Sequence, residues 1–175
     1  MSNNRVRNLT EADRPELRRL LLGDWGSTRM ASRGRLMELT DLPGFIAERD
    51  GRWLGYSTYD VVDRQLEVAV LEAIVERRGA GSALLAACVA EAQRLGCGRV
   101  WLITTNDNVD ALRFYQRRGF LLVALHRGAV AESRLRLKPE IPAVGANGIP
   151  IRDELELELP PDDWPAFVER HAWPS

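Results

Sequence analysis

The chain has 175 residues, a length typical of one domain, and 45% of them are hydrophobic, enough to form a packed core. Its formal net charge of −1 argues against nucleic acid or an anionic membrane as a partner. Two cysteines do not make a disulfide framework, the polar N-terminus does not resemble a signal peptide, and no apolar run is long enough to span a membrane. We therefore expect a cytoplasmic protein.

The N-terminal third predicts a strand, a helix and a binding loop. Residues 5–9 form a short candidate strand, and a helix begins between Thr10 and Asp13. Small polar residues fill positions 23–34, a composition that suits a loop with a binding role. Residues 36–42 are interpreted as a short helix that ends at a Pro-Gly pair.

The middle of the chain alternates between strand and helix patterns. Strands are predicted at 45–48 and 53–61, joined by an Asp-Gly hairpin, and at 65–75. A helix at 82–95, an apolar strand at 99–105, a helix after Asn108 and a strand at 120–125 follow. This order requires crossover connections, and therefore at least one pair of parallel strands.

The C-terminal part predicts a helix at 129–137, a proline-containing loop at 139–150 and a strand at 154–159. In that strand leucine and glutamate alternate, so we expect leucines inward and glutamates in water. We divide the chain into a domain at 1–160 and a tail at 161–175, whose aromatic residues are expected to dock on the domain rather than form an exposed partner site.

The most informative segment joins an apolar run to a glycine turn. Arg77 and Arg78 precede Gly79-Ala80-Gly81, and a helix pattern follows. Glycines let the backbone approach a ligand, and the free N–H groups of a helix start favour anions. The segment thus predicts a phosphate-binding turn; the alternative is a tight turn beside two solvated arginines. The segment lacks the third glycine of a dinucleotide-binding fingerprint, and the chain contains no Gly-Lys-Ser/Thr triplet of a P-loop. Both of these nucleotide-binding motifs are therefore excluded.

A second segment, residues 108–120, reads Asn-x-x-Ala-x-x-Phe-Tyr-x-x-x-Gly-Phe. Asn108 can cap a helix, and Gly119 is placed to end it in the left-handed conformation.

Together the two segments resemble the GNAT superfamily of N-acetyltransferases, over roughly residues 5–126, and the C-terminal continuation is similar to an uncharacterised bacterial branch of it. The resemblance implies an α/β fold with a mixed, mostly antiparallel sheet, a splayed parallel strand pair and flanking helices. It also implies acetyl-CoA as cosubstrate and no metal. Glu76 occupies the position where the family carries Arg or Gln.

The resemblance assigns the coenzyme site. It implies pyrophosphate binding by the turn and its arginines, pantetheine binding by the backbone of two residues before it, and a coenzyme contact by the helix cap. Asn106, at the end of the buried strand, is added because ligands gather at such strand ends. The coenzyme candidates are Ala73, Val75, Arg77, Arg78, Gly79, Ala80, Gly81, Ser82, Asn106, Asn108 and Tyr115.

The catalytic candidates follow from the needs of acetyl transfer to an amine. Tyr115 matches the family's tyrosine, and a group with a reference pKa of about 10 suits proton donation to a departing thiolate. The alternative is a tyrosine packed in the core. Glu72 and Glu67 are candidate bases, and either could instead be a solvated strand residue.

Loop position alone makes Trp25, Arg29 and Arg33 candidates for binding the acceptor, and the two arginines could meet a substrate carboxylate. The predicted function is an acetyl-CoA-dependent N-acetyltransferase that acts on an amine of a small molecule or peptide. An acyl-CoA-binding sensor of the same fold is the alternative, and a homodimer is left open.

Overall fold

The computed structural model describes residues 4–75, 78–145 and 147–174. Its strands are β1 (Asn4–Asn8), β2 (Arg29–Ser32), β3 (Arg35–Glu38), β4 (Gly44–Arg49), β5 (Arg52–Val62), β6 (Gln65–Glu72), β7 (Arg99–Thr105), β8 (Leu121–His126) and β9 (Glu154–Leu159). Its α-helices are α1 (Arg14–Trp25), α2 (Ala80–Arg94), α3 (Val109–Gln116), α4 (Ala129–Arg136) and α5 (Trp164–His171).

The main sheet has the strand order β1-β4-β5-β6-β7-β9-β8, while β2 and β3 form a separate hairpin. Among the described strands only β6 and β7 pair in parallel, and the other pairs of the sheet are antiparallel. The parallel pairing covers only Gln65–Glu67 against Arg99–Trp101, after which the two strands separate. The structure therefore confirms the predicted mixed sheet with a splayed parallel pair.

A bulge in β6 lies where the strands separate. Thr58 pairs with Val70 and Tyr59 with Val68, so that Ala69 is an extra residue opposite β5. A bulged strand bends and twists more strongly than a regular one. The bulge thus accounts for β6 turning away from β7 directly after their last paired residues.

Apolar side chains bury both faces of the sheet. On one face α2 and α5 cover the larger core, which contains Leu84, Leu85 and Val89 of α2. Trp164 and Phe167 of the C-terminal tail are buried in the same core. On the other face Leu17 and Leu21 of α1 pack in a smaller core. The sheet is therefore held from two sides while the splayed ends stay accessible.

The prediction of a helix at 36–42 was wrong, and part of the predicted loop at 23–34 is a strand. Arg33 and Gly34 have φ values of 46° and 74°, the left-handed conformation that a two-residue hairpin turn requires. The turn brings β3 back along β2, so that Leu36 pairs with Ala31. Backbone pairing across this turn overrides the helix-like apolar spacing of a short segment.

The strand β9 differs from its prediction in the position of its glutamates. Glu154 and Glu156 are 2% and 4% exposed, although the alternation predicted them in water. β9 lies between β7 and β8, and its glutamates meet arginines and the tip of the β2–β3 hairpin. Helix α4, by contrast, forms where the sequence predicted it.

Candidate active site

The splay between β6 and β7 opens into a cleft of about 580 Å³. The end of α1, the β2–β3 hairpin, α4 and the loop at 138–153 complete its walls. The cleft gathers the following residues that the sequence singled out: Trp25, Arg29, Glu67, Glu72, Asn108 and Tyr115. Residues from both ends of the chain therefore meet at the point where the parallel strands part.

Tyr115 is placed by the start and the packing of α3. The side chain of Asn108 caps this helix by accepting a hydrogen bond from the Ala111 N–H at 3.1 Å. The Tyr115 ring packs edge-on against Phe114 and lies 5.7 Å from the ring centre of Phe120. Its hydroxyl forms no hydrogen bond with any described residue. Burial, assisted by nearby Cys88 and Glu72, raises the pKa of Tyr115 and keeps it protonated.

Glu72 is half-buried at the end of β6 and belongs to no salt bridge among the described residues. Burial, and after it the charge of Asp24, raises the pKa of the Glu72 carboxyl above its usual value. The charge of Glu72 also reaches Tyr115, since it contributes to the raised pKa of that hydroxyl. A carboxyl group and a protonated hydroxyl thus lie within electrostatic range of each other.

Glu67 belongs to the last paired residues of the parallel strands, opposite Trp101. It is 3% exposed, and its oxygens accept hydrogen bonds from the Ser32 hydroxyl and from Arg35 Nη2, the latter at 2.8 Å. Burial raises the pKa of Glu67, although Ser32 and Arg35 act in the opposite direction. Both oxygens are therefore occupied by the hairpin, whereas Glu72 forms no salt bridge with the described residues and has the Trp25 side chain as a neighbouring donor.

The glycine turn lies at the start of α2, beyond the end of β6. Gly79 has a φ of 81°, and the helix begins at Ala80. The first N–H groups of α2 lack partners within the helix, as at any helix start. Arg78 is exposed beside the turn, whereas Arg77 and Glu76 lie outside the described residues.

Gly81 is held against α3 rather than facing open space. A Cβ atom at this position would lie 2.9 Å from the ring of Phe114. The absence of a side chain at Gly81 therefore serves the packing of α2 on α3. A bulky substitution here would disturb folding as well as ligand approach, so that Gly81 alone cannot test phosphate binding.

Arg118, beside the start of α2 and outside the cleft wall, is a candidate site residue that the sequence reasoning missed. Its guanidinium stacks 3.6 Å from the ring centre of Phe114, and its Nε donates to Ser82 Oγ at 2.8 Å. No described carboxylate forms a salt bridge with it, and burial followed by the neighbouring Arg117 lowers its pKa. A cation without an acidic partner is thus held at the start of α2. The sequence could have indicated this residue, because Arg118 lies directly before Gly119 of the 108–120 motif.

Other predicted residues lie outside the cleft wall. The Asn106 amide donates to the Pro150 carbonyl at 2.9 Å and accepts from the Arg152 and Asp153 N–H groups, which fixes the loop before β9. The Arg33 N–H donates to Glu154 at 3.0 Å, and its guanidinium lies over Trp101.

The two pantetheine candidates, too, lie outside the cleft wall. Ala73 follows the last residue of β6. The Val75 N–H already donates to the Leu54 carbonyl at 3.2 Å, so that only its carbonyl is left to meet a ligand.

Two contacts tie the hairpin to the loop that precedes β9. Arg29 Nη2 lies 2.9 Å from Glu140 Oε1, and Lys138 Nζ donates to the Arg29 carbonyl at 2.7 Å. Burial lowers the pKa of Lys138. The predicted acceptor residue Arg29 thus lines the cleft while its charge is shared with Glu140.

Across residues 4–75, 78–145 and 147–174, no group of three His, Cys, Asp or Glu side chains could hold a metal ion. Within the same residues, every helix is too short or too polar to cross a membrane.

Known proteins share this fold. Residues 6–120 match the acetyltransferase (GNAT) family. The uncharacterized protein YdhI of Bacillus subtilis is 42% identical over 132 residues, which cover 75% of this chain and 82% of that protein. The IAA acetyltransferase of Bacillus cereus is 20% identical, with a TM-score of 0.68 over 90% of this chain and 99% of that one. A Bacillus subtilis acetyltransferase in complex with CoA is 17% identical, with a TM-score of 0.63 over 91% and 99%. The chain thus belongs to the GNAT acetyltransferase family.

Proposed function

We propose that this protein transfers an acetyl group from acetyl-CoA to the amine nitrogen of a small molecule or peptide. The splayed strands carry this proposal, because they open one cleft that is lined by both the free hydroxyl of Tyr115 and the carboxylate of Glu72, which forms no salt bridge with the described residues. Membership of the GNAT family and a relative of the same fold solved with CoA support it.

The coenzyme fits the splay and the start of α2. Beyond Glu67 and Trp101 the facing edges of β6 and β7 no longer pair with each other, so their N–H and C=O groups can bond to the amides of pantetheine. The start of α2 and the guanidinium of Arg118 supply positive charge for the pyrophosphate. Asn108 reaches the same cleft from the start of α3.

The chemistry needs one proton acceptor and one donor. Glu72 takes a proton from the acceptor ammonium, and the freed amine attacks the thioester carbonyl carbon. A C–N bond forms and the C–S bond breaks, leaving the sulfur as a thiolate. Tyr115 gives its proton to that sulfur, and the amide nitrogen gives its extra proton to the Tyr115 phenolate, which restores the hydroxyl. Glu72 then releases its proton to solvent. The raised pKa of Glu72 favours proton uptake, and the raised pKa of Tyr115 keeps its hydroxyl protonated until the thiolate forms.

A binding and turnover series tests the proposal. Acetyl-CoA should raise the melting temperature, whereas NAD should not. At a hundredfold excess of acetyl-CoA over its dissociation constant, the free energy of unfolding should increase by about 2.7 kcal/mol. Thiol release from acetyl-CoA is then measured with a panel of amines. Stabilisation by NAD alone would contradict the proposal, and tight acetyl-CoA binding without turnover of any amine would favour the acyl-CoA sensor.

A further inference from the structure

The cleft wall is strongly acidic. Carboxylates from four separate parts of the chain line it, namely Asp24, Glu67, Glu72, Asp107 and Glu154. The cations that line it are Arg29 and Lys138, and both are already engaged, Arg29 with Glu140 and Lys138 with a backbone carbonyl. Arg35 pairs with Glu67, but the other four carboxylates form no salt bridge with the described residues, so the wall keeps negative charge that those residues do not neutralise.

Glu154 shows this lack of neutralisation most clearly. It is 2% exposed, and it belongs to no salt bridge with any described residue; the Arg33 N–H is its protein donor. Burial raises the pKa of Glu154, and the charge of Glu67 adds to this, while the Arg33 N–H and the charges of His126 and Arg33 act in the opposite direction without forming an ion pair. Glu156, two residues along the same strand, is also buried but pairs with Arg99 and His126. A buried carboxylate without a cation costs folding free energy.

Asp107 provides a second, independent observation. It is 8% exposed, and its Oδ1 is buried without a hydrogen-bond partner in the described parts of the chain. Its Oδ2 lies against Gly145, since a Cβ atom added to Gly145 would be 1.9 Å from this oxygen. Thr105 pairs with Glu154 across the sheet, and Asp107 follows Thr105 by two residues, so that both unneutralised carboxylates lie at the same end of β7.

We propose that the acceptor carries a second positive charge, and that Glu154 and Asp107 bind this distal ammonium while the reacting amine lies beside Glu72. The inference rests on the proposed acetyl transfer and names the acceptor class as linear amines with at least two ammonium groups. A dication supplies the cations that the buried carboxylates lack. These carboxylates lower the stability of the free protein, and the same residues give the site its specificity for the acceptor.

Calorimetry on the CoA-loaded protein tests this without requiring turnover. 1,4-Diaminobutane and 1,6-diaminohexane are each compared with the monoamine of the same chain length and with the corresponding amino acid. We expect a diamine to bind at least about tenfold more tightly than its monoamine, since hydrogen bonds to charged groups are worth roughly 1.5–3 kcal/mol. The amino acid should bind most weakly. Equal affinity for diamines and monoamines would overturn the inference and leave acetyl transfer untouched.

A pair of substitutions on one strand locates the effect. Glu154→Gln should remove about tenfold of the diamine affinity and leave monoamine affinity unchanged. Glu156→Gln makes the same chemical change on the same face of β9, and it should leave the diamine-to-monoamine ratio unchanged. Asp107→Asn provides a second variant at the proposed subsite. If all three variants keep the wild-type ratio, the distal ammonium is not bound here. If acetyl-CoA itself fails to bind, the proposed function fails instead.

Discussion

The two sides of the cleft are built in different ways. The proposed coenzyme side includes the end of β6 and α3, which line the cleft, and extends to the start of α2 outside it; its key residues lie in two short segments of the chain. The acceptor side combines the end of α1, the β2–β3 hairpin, α4 and the loop before β9. In the proposed function, backbone turns and helix starts bind the coenzyme through local geometry, which a short motif can specify. Acceptor recognition depends on side chains that only the fold brings together.

The two sides also differ in charge. Helix starts and Arg118 make the coenzyme side electropositive, which suits a pyrophosphate. The acceptor side has a surplus of carboxylates, which suits an ammonium. The net charge of −1 conceals this separation, because opposite local charges cancel in the sum. The following predictions examine the two sides from the largest expected effect to the smallest.

Tyr115→Phe should have the largest effect, because it removes a hydroxyl that acts only as the thiolate departs. We expect kcat to fall by about 10²–10⁴-fold with little change in acetyl-CoA affinity. The ring contacts with Phe114 and Phe120 are retained. Tyr59→Phe is the matched control, since Tyr59 is also buried but donates to Glu91 at 3.1 Å, away from the cleft. A kcat of Tyr115→Phe equal to that of wild type, with chemistry rate-limiting, would assign Tyr115 to packing alone.

Glu72→Gln should lower kcat by about a hundredfold, the lower range for a general base. In the wild type, activity should fall as Glu72 is protonated, and its raised pKa places this acidic limb above pH 4.5. The variant should lose that limb in a plot of kcat/KM against pH. Glu67→Gln is measured beside it. If Glu67→Gln removes the limb and Glu72→Gln keeps it, the base is Glu67.

Arg118→Gln should weaken acetyl-CoA binding by about tenfold, because a charge-assisted hydrogen bond to phosphate is lost. The effect should shrink as salt concentration rises, while kcat at saturating coenzyme stays unchanged. Arg117→Gln removes an equal charge from an exposed neighbour and should weaken binding much less. Equal losses in the two variants would show that only general surface charge matters.

Glu154→Gln should stabilise the free protein at neutral pH. The pKa of Glu154 is raised on folding, so the wild type loses stability as the pH rises through that pKa. We expect the variant to melt about 2–4 °C higher, which corresponds to roughly 1 kcal/mol for a chain of this size. The difference should vanish as the pH falls below 4.5, where the wild-type side chain is protonated in both states. A lower melting temperature at neutral pH would identify a structural role.

The contact between hairpin and loop should have the smallest effect. Arg29 and Glu140 are 46% and 41% exposed, and an exposed pair is worth only about 0.2–1 kcal/mol. Arg29→Gln and Glu140→Gln should therefore each raise the KM for the acceptor a few-fold at most, and the double variant should add little. A much larger loss in Arg29→Gln, confined to acceptors with a carboxylate, would restore Arg29 as a substrate-binding residue.

The sequence by itself determined the fold family, the glycine turn and the tyrosine helix. Each depends on contacts between near neighbours in the chain, such as the Asn108 cap on Ala111 or the left-handed Gly79. The hairpin at Arg33-Gly34 was misjudged because a short apolar segment fits helix and strand equally well until its partner strand is known.

Only the tertiary structure decided which charges are buried and which are paired. The alternation in β9 placed Glu154 and Glu156 on one face, but whether that face meets water depends on the hairpin folded over it. Arg118 joins the start of α2 only because α3 packs Phe114 against Gly81. Burial and ion pairing arise between residues far apart in the chain, and a single sequence does not specify those distances.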